Sequence, residues 1–292
     1  MAEISKEDLR KLQLKSLEMA KYFVEFCKEN NLLTYFCGGG CIGAIRHGGF
    51  IPWDDDLDIF MPRKDYEKLY RLWKKKADNE AYSILRPKRT MIDHNLFITI
   101  RDNNTTQIKP YQKDLDISHG VALDIFPIDG CPSSSFKRKM QLFWGMIYSL
   151  FCAQLIPVNH GKKKAMMAKI AFVLVPFKGL RYRIWKFAEK QMSKYELDKC
   201  ESMTELCAGP GYMKNVYPRK AFDSAIFVDF EDTKMPIPVG YDEYLRIAFG
   251  DYMKMPPVEK QVAHHDVEFM DLDNSYLKYK GVYYCKNGEK NG

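Results

Sequence analysis

The chain has 292 residues, 46% hydrophobic and 28% charged, so it can form one large or two small domains with a sizeable core. Its net charge of +7 is compatible with an anionic substrate, nucleic acid or acidic lipid, and ordinary solubilising lysine explains it equally well. The eight cysteines show no CxxC pair and no zinc-finger spacing, which excludes the common zinc modules, and the charged N-terminus excludes a signal peptide. A reduced, cytoplasmic protein is expected.

The first predicted element is a long amphipathic helix over residues 5–29. Ser5 followed by Asp8 has the pattern of a capping box, and apolar residues then recur at helical spacing up to Asn30. A short apolar strand is predicted for residues 33–37.

A glycine cluster follows this strand directly, and residues 41–45 suit the first turns of a helix. A strand, a glycine turn and a helix start aim backbone N–H groups at phosphate, although a structural tight turn has the same pattern. Arg46 and His47 favour phosphate, because a cation just beyond the turn can neutralise it. The glycines are Gly38, Gly39 and Gly40.

Four aspartates lie within five positions at residues 54, 55, 56 and 58. An alternating pattern predicts a half-buried strand, with Asp56 and Asp58 on one face and Leu57 on the other. Two carboxylates side by side on a strand are unfavourable unless they are paired or bound to metal. A surface strand edge with solvated acids is the alternative interpretation.

Further elements follow in the pattern of a mixed fold. A helix is predicted at about 63–77, strands at 82–85 and 96–100, and a polar loop at 102–118. The apolar run 120–130 contains Asp124, which as a buried acid needs a partner or a metal and fits as a third carboxylate facing Asp56 and Asp58. Asp129-Gly130 is interpreted as a turn.

The composition shifts from Cys131 onward. Helices are predicted at 136–155, 166–175 and about 178–199, and residues 142–158 approach transmembrane length. Basic residues beside apolar helices favour peripheral contact of residues 136–199 with an anionic membrane surface. The alternative is that these are buried core helices. A helix that spans the membrane is disfavoured.

The mixed pattern returns at residue 201. A strand is predicted at 225–230 and a short helix at 241–249. His264 and His265 could bind phosphate, shuttle a proton or be solvated surface residues. We therefore divide the chain into three parts. Residues 1–130 form a catalytic core, and residues 131–200 form a helical insertion that would contact a membrane surface or bind an acceptor substrate. Residues 201–292 form a C-terminal part that returns to the core.

Three blocks within residues 35–265 resemble the LicD family, which includes phosphocholine transferases and fukutin-related proteins. They read GAIRHGGFIPWDDDLDIFMPRKDYE, GVALDIFPIDG and YDEYLRIAFGDYMKMPP. The resemblance implies an α+β fold with a nucleotidyltransferase-like mixed sheet flanked by helices. It also implies that Asp56, Asp58 and Asp124 are metal ligands and catalytic acids. One departure is Gly40, where the family usually has Ser or Thr.

The activity that the resemblance implies is transfer of a phospho-alcohol, most simply phosphocholine, from a CDP-alcohol to a sugar hydroxyl. The acceptor would be a glycan precursor such as teichoic acid or lipopolysaccharide at the inner face of the membrane, and CMP would leave. We expect two Mg²⁺ ions roughly 4 Å apart, replaceable by Mn²⁺, among the three aspartates, with the glycines, Arg46 and His47 orienting the phosphates.

Two other functions remain open at this point. A true nucleotidyltransferase would use the same acids to move NMP from an NTP to a hydroxyl, releasing pyrophosphate. The second is a non-catalytic nucleotide-binding protein. The presence of Asp56, Asp58 and Asp124 argues against it, because a protein without a metal site has no reason to keep three acids whose burial is unfavourable. Nucleic-acid binding is disfavoured, because the sequence contains no RNA- or DNA-binding motif. Trp53, Tyr111, Tyr244 and Tyr252 are candidates for an aromatic cage around choline.

Overall fold

The computed structural model describes residues 4–156, 162–263 and 266–286. His264 and His265, for which phosphate binding or proton transfer was considered, lie outside the described residues.

The described ranges contain both helices and strands. The helices are α1 (Lys6–Glu29), α2 (Gly38–His47), α3 (Arg63–Lys76), α4 (Ser135–Ala153), α5 (Lys162–Leu174), α6 (Lys178–Met192) and α7 (Tyr241–Phe249). The strands are β1 (Tyr35–Phe36), β2 (Asp58–Pro62), β3 (Tyr82–Leu85), β4 (Ile98–Asp102), β5 (Thr106–Ile108), β6 (Ala122–Cys131), β7 (Ser202–Glu205), β8 (Tyr217–Pro218), β9 (Ala225–Phe230), β10 (Thr233–Pro238) and β11 (Phe269–Asp271).

The long helix α1 begins where the sequence predicted. The hydroxyl of Ser5 accepts from the backbone N–H of Asp8 at 3.0 Å and donates to the Asp8 carboxylate at 2.7 Å. This reciprocal cap satisfies a donor that no helical carbonyl reaches. The apolar stripe of α1, which includes Leu12, Phe23 and Phe26, is buried in the core.

Strand β6 lies at the centre of a mixed sheet of order β1-β2-β6-β4-β3. Its first half pairs in parallel with β2 and antiparallel with β4, while its last four residues, Ile128 to Cys131, pair antiparallel with β7. One long strand therefore carries contacts to both the N-terminal and the C-terminal part of the chain. The predicted α+β class, with a mixed sheet flanked by helices, is confirmed.

Three local predictions are wrong. Residues 102–118, predicted as a loop, contain β5, which pairs with β11 more than 150 positions later. Asp129-Gly130, predicted as a turn, lies within β6. Arg63 neutralises the Asp129 carboxylate at 2.6 Å, and a methyl group at Gly130 would lie 2.7 Å from the carbonyl oxygen of Tyr195. The third helix of the insertion was predicted to reach residue 199 but ends at Met192, where the Ser193 hydroxyl bonds back to Glu189.

Ion pairs of Glu189 join α6 to Arg63 of α3 and to Arg86, which directly follows β3. Helices α4 and α6 pack against each other, and Glu189 of α6 accepts from Arg86 at 3.1 Å. Arg86 also holds Glu67 of α3 at 2.7 Å. Within the described ranges, every helix falls short of the length and apolar character needed to cross a bilayer. The proposed division into a core, a helical insertion and a returning C-terminal part stays a prediction.

Glu205 at the end of β7 is a buried acid. Its carboxylate accepts from the hydroxyl of Tyr217, which in turn accepts from the side-chain amide of Asn215 at 2.9 Å. Burial raises the pKa of Glu205 to about 7, and the hydrogen bonds from Tyr217 and Asn215 only partly oppose this. The folded state therefore binds this proton more tightly than the unfolded chain.

We expect this acid to make the fold less stable as the pH rises. Its contribution is fully present below the ordinary glutamate pKa of 4.5 and is lost as the pH increases through about 7. The free energy of unfolding should fall by up to about 3 kcal/mol from this group between about pH 5 and pH 8. Glu205→Gln keeps an acceptor for Tyr217 and should flatten that slope.

Urea unfolding at several pH values measures this slope. Glu201→Gln, at an exposed position just before the same strand, is the matched control and should leave the slope unchanged. Equal slopes in the wild type and in Glu205→Gln would show that Glu205 is not the titrating group.

Candidate active site

Asp58 and Asp124 are direct neighbours in the sheet. They are register partners in the parallel pair β2–β6, and Thr99 of β4 is the partner of Asp124 on the other side. Register partners point to the same face of a sheet, so both carboxylates lie side by side. The sequence predicted this pairing of an acid with a third carboxylate on a neighbouring strand, and the structure brings the two together.

Three further acids lie in the loop that leads into β2. Single carboxylate oxygens of Asp54, Asp55 and Asp56 all lie within 4.8 Å of one another. The loop is held by the side-chain amide of Gln13 on α1, which donates to the carbonyl oxygens of Ile51 at 3.2 Å and Asp54 at 2.9 Å. Asp56 was predicted to lie on the strand as a metal ligand. It instead lies in the loop before β2, where its carboxylate is close to those of Asp54 and Asp55.

The N-terminus of α2 faces these acids. A methyl group added at Gly39 would lie 2.0 Å from Oδ2 of Asp54, and one at Gly38 would lie 3.9 Å from Oδ2 of Asp58. The glycines that were expected to form a turn before the helix are instead its first turn, with Gly38 at φ +52°. The positive end of the helix dipole therefore stabilises the carboxylates, which approach because no side chain intervenes.

Tyr244 of α7 fixes the start of α2. The backbone N–H of Gly38 donates to the Tyr244 hydroxyl at 3.0 Å, and the ring is buried among Phe60, Tyr217 and Phe222. This contact was not predicted: in the sequence Tyr244 is one apolar position of a short helix, and nothing marks its hydroxyl as a cap.

Gly40 has a packing role. A methyl group there would lie 3.2 Å from the ring of Phe36 and 3.3 Å from Leu57, so the position points into the core. Where the family was said to carry a hydroxyl, this chain has a close helix–strand contact.

The electrostatics of the site are unfavourable without a cation. Burial raises the pKa of Asp58 well above its ordinary value, and repulsion from Asp56, Asp124 and Asp54 adds to the effect. Oδ1 of Asp124 is buried without a hydrogen-bond partner. An unsatisfied buried carboxylate oxygen among other acids fits a hard divalent cation such as Mg²⁺ or Mn²⁺. That Asp56, Asp58 and Asp124 are the ligands stays a prediction.

Lys109 enters the site from the segment that was predicted as a loop. Its ammonium lies 3.6 Å from Oδ2 of Asp124, with only 13% of the side chain exposed. Burial opposes its charge, but Asp124, Tyr111 and Asp56 outweigh it and raise the pKa of Lys109. No sequence signal separated it from other lysines, because its position depends on the pairing of β5 with β11.

Arg46 and His47 lie at the other end of α2. They follow Gly38 by eight and nine positions, which corresponds to about 12 Å along a helix axis. The guanidinium of Arg46 donates to the carbonyl oxygens of Tyr252 at 2.7 Å and Lys254 at 3.3 Å. Arg46 also interacts electrostatically with Asp54 of the acidic loop. The phosphate role predicted for Arg46 and His47 stays a prediction.

The four candidate cage aromatics separate by environment. Tyr244 is fully buried, and the Tyr252 hydroxyl donates to Asp242 at 2.7 Å. Tyr111 is 41% exposed, and both Lys109 and Asp124 influence its pKa, which burial raises. Trp53 precedes the acidic loop and is half-buried. Tyr111 and Trp53 are thus the aromatics that retain accessible surface near the acids.

Comparison with known proteins identifies relatives of this chain. Residues 31–141 match the protein-family model described as LicD/FKTN/FKRP, nucleotidyltransferase domain. The chain is 29% identical over 269 residues to the lipopolysaccharide cholinephosphotransferase LicD of Haemophilus influenzae, covering 90% of this chain and 97% of that protein.

Two other relatives match over shorter ranges. Mannosyltransferase regulator 4 of Saccharomyces cerevisiae is 25% identical over 122 residues, which are 40% of this chain and 10% of that protein. An uncharacterised protein of Rickettsia prowazekii is 31% identical over 101 residues, which are 32% of this chain and 36% of that protein. The resemblance to the LicD family is confirmed.

The close approach at Gly39 can be tested by adding a methyl group. We expect Gly39→Ala to displace Asp54 and weaken divalent-cation binding by at least about tenfold, because outer contacts that orient acids have effects of this size. Titration calorimetry with Mg²⁺ and Mn²⁺ measures the change. Gly211→Ala is the matched control, since nothing lies within 4 Å of the added methyl group. Unchanged affinity in Gly39→Ala would contradict the assigned geometry.

Proposed function

We propose, from the match of residues 31–141 to the LicD/FKTN/FKRP family model, that this protein transfers phosphocholine from CDP-choline to a sugar hydroxyl of a cell-surface glycan precursor. CMP is the second product. The acceptor is a lipopolysaccharide precursor or a related glycan such as teichoic acid, and the reaction takes place at the inner face of the cell membrane.

The observation that carries the proposal is the carboxylate pair Asp58–Asp124 beneath the N-terminus of α2. A relative named as a lipopolysaccharide cholinephosphotransferase aligns over 97% of its own length, so the proposal extends to the whole chain. Clustered carboxylates can bind a divalent metal, and a helix N-terminus can bind phosphate. The two side by side suit a diphosphate that is bound through a metal.

The acids would hold the metal and the chain would position the reactants. Asp56, Asp58 and Asp124 would bind Mg²⁺, one or two ions, which when present supplies charge for the diphosphate and acidifies the attacking hydroxyl. The sugar oxygen forms a bond to the choline-bearing phosphorus, and the bond from that phosphorus to the CMP oxygen breaks. The carboxylate of Asp124 would accept the proton of the hydroxyl.

Three side chains would contact the donor. The buried ammonium of Lys109 neutralises a phosphate oxygen, as a point charge beside Asp124. Tyr111 and Trp53 present rings near the acids, and a quaternary ammonium binds favourably to an aromatic face. Contact of residues 136–199 with the membrane would bring the site to a lipid-linked acceptor.

Nucleotidyl transfer is the second candidate, favoured by the description of the matching family model as a nucleotidyltransferase domain. The same acids would serve, with an NTP as donor and attack at its α-phosphorus. The two reactions differ in their products, since one releases CMP and the other pyrophosphate.

Replacing an acid of the central pair tests the proposal. With Mg²⁺ and CDP-choline, we expect CMP release by the wild type and a loss of about a hundredfold or more in Asp58→Asn, because the amide cannot balance a divalent cation. Chelation with EDTA should abolish release, and Mn²⁺ should restore part of it. CMP is measured by liquid chromatography, and folding is checked by thermal unfolding.

The control for this series is Asp232→Asn, which removes an exposed acid paired with Lys21. It should release CMP at the wild-type rate. Full activity in both Asp58→Asn and Asp56→Asn would refute the metal assignment. Pyrophosphate released from an NTP, with no CMP from CDP-choline, would support nucleotidyl transfer instead.

Lys109 provides an independent test of donor binding. We expect Lys109→Gln to raise the KM for CDP-choline by about tenfold or more with a smaller effect on kcat, because one charge-assisted contact to phosphate is lost. Lys113→Gln, which removes a half-exposed lysine 3.8 Å from Glu268, is the control and should leave both constants unchanged. A fall in kcat alone would argue against a ground-state phosphate contact.

A further inference from the structure

The positive charge of the chain is concentrated in the segment of α4, α5 and α6. Residues 135–192 contain twelve Lys and Arg and a single acid, Glu189, whereas the whole chain has 45 basic and 38 acidic residues. The remainder therefore has 33 basic and 37 acidic residues, so the segment is at +11 and the rest at −4. Glu189 is buried and paired with Arg86, which leaves the described surface of the segment free of exposed acids.

The same segment exposes large apolar side chains. Among the described residues it holds 14 of the 28 large hydrophobic side chains that are exposed, in about a fifth of the chain. Phe136 is 73% exposed, Val173 77% and Phe177 72%. Soluble proteins tolerate single exposed apolar residues, but a concentration of them marks an interaction surface.

These side chains form stripes along the helices. On α4, Phe136, Met140 and Phe143 recur at i, i+4 and i+7, which places them on one face. On α6, Leu180 and Phe187 also lie seven positions apart. The stripes are adjacent, because the ring of Trp144 contacts that of Phe187 with centroids 5.2 Å apart. We define this surface, with the exposed side chains of α5, as the basic apolar face.

Exposed cations lie beside the stripes. Lys137 and Lys139 flank Phe136 and Met140 in the first turns of α4. Other exposed cations that make no ion pair among the described residues are Lys169, Lys178, Arg183 and Lys190. Uncompensated cations around apolar side chains match the headgroup charge and the hydrocarbon of an anionic membrane.

We propose that the basic apolar face is a peripheral docking surface for an anionic lipid bilayer. Apolar side chains of α4, α5 and α6 enter the headgroup boundary, and the surrounding lysines contact lipid phosphate. A second copy of the chain is disfavoured as the occupant, since two faces of the same sign would repel. The inference deepens the proposed function, on which it rests for the biological acceptor, but lipid binding itself needs no turnover.

Vesicle flotation with the full-length protein tests the proposal. Vesicles of phosphatidylcholine alone are compared with vesicles containing about one third phosphatidylglycerol, at low and high salt. We expect binding to the anionic vesicles that is at least about tenfold stronger than to the neutral ones and is weakened by salt. CMP release is measured in solution on the same preparations.

Two variants separate the apolar from the electrostatic contribution. Each should weaken binding to anionic vesicles by about tenfold or more while CMP release from CDP-choline in solution is unchanged. The apolar variant is Phe136→Ser, Met140→Ser and Phe143→Ser. The charge variant, which keeps every apolar contact and guards against misfolding of the first, is Lys137→Gln, Lys139→Gln and Lys178→Gln.

Matched controls change exposed residues of the same kinds elsewhere and should bind like the wild type. The apolar control is Val258→Ser, Leu277→Ser and Val282→Ser, and the charge control is Lys75→Gln, Lys88→Gln and Lys260→Gln.

Equal binding to neutral and anionic vesicles, no binding to either, or wild-type binding by both variants would overturn the proposal. Release from vesicles by an equal charge of duplex DNA would show polyanion binding instead. Lost CMP release with intact vesicle binding would refute the proposed function alone.

Discussion

Repulsion between carboxylates is the constraint on which this structure depends. Asp58 and Asp124 are register partners on adjacent strands, and three more aspartates lie in the loop before the first of them. Like charges at this spacing oppose folding unless fixed positive groups or a cation offset them. The chain supplies two such groups: the positive end of α2, which approaches because Gly38 and Gly39 carry no side chains, and the buried ammonium of Lys109.

The surrounding elements hold these groups in place from distant parts of the sequence. Gln13 of α1 fixes the acidic loop, and Glu231, itself paired with Arg10, accepts from the backbone N–H of Phe50 at 3.1 Å. Tyr244 binds the first N–H of α2. Strand β6 links the site to the rest: its first half carries Asp124, and its second half, with Asp129 bound to Arg63, continues toward β7 and the basic apolar face. Support for the site therefore comes from both the N-terminal and the C-terminal parts of the described chain.

The sequence predicted two kinds of feature well: elements set by short-range patterns, and acids whose burial is electrostatically unfavourable. The capping box at Ser5, the strands at 82–85 and 225–230 and the helix at 241–249 follow from short-range patterns. The proximity of Asp58 and Asp124 followed from the cost of burying acids. Lys109, the hydrogen bond of Tyr244 to α2, and β5 were missed because their partners lie far away in the sequence and leave no periodic signal. The turn expected at Asp129 was wrong because turn propensity is a weak guide when a buried arginine pairs with the acid.

Helix α2 is held at both ends by one late segment of the chain. Tyr244 accepts from its first residue, and the carbonyl oxygens of Tyr252 and Lys254 accept from Arg46 in its last turn. All the candidate ligands lie before residue 125, yet these contacts to both ends of α2 come from residues 244–254. During synthesis on the ribosome, the acid-rich strands would leave the exit tunnel long before their helix is clamped. The order of synthesis therefore places the acids before the residues that hold α2, so the geometry of the site would be set only once residues 244–254 have been made.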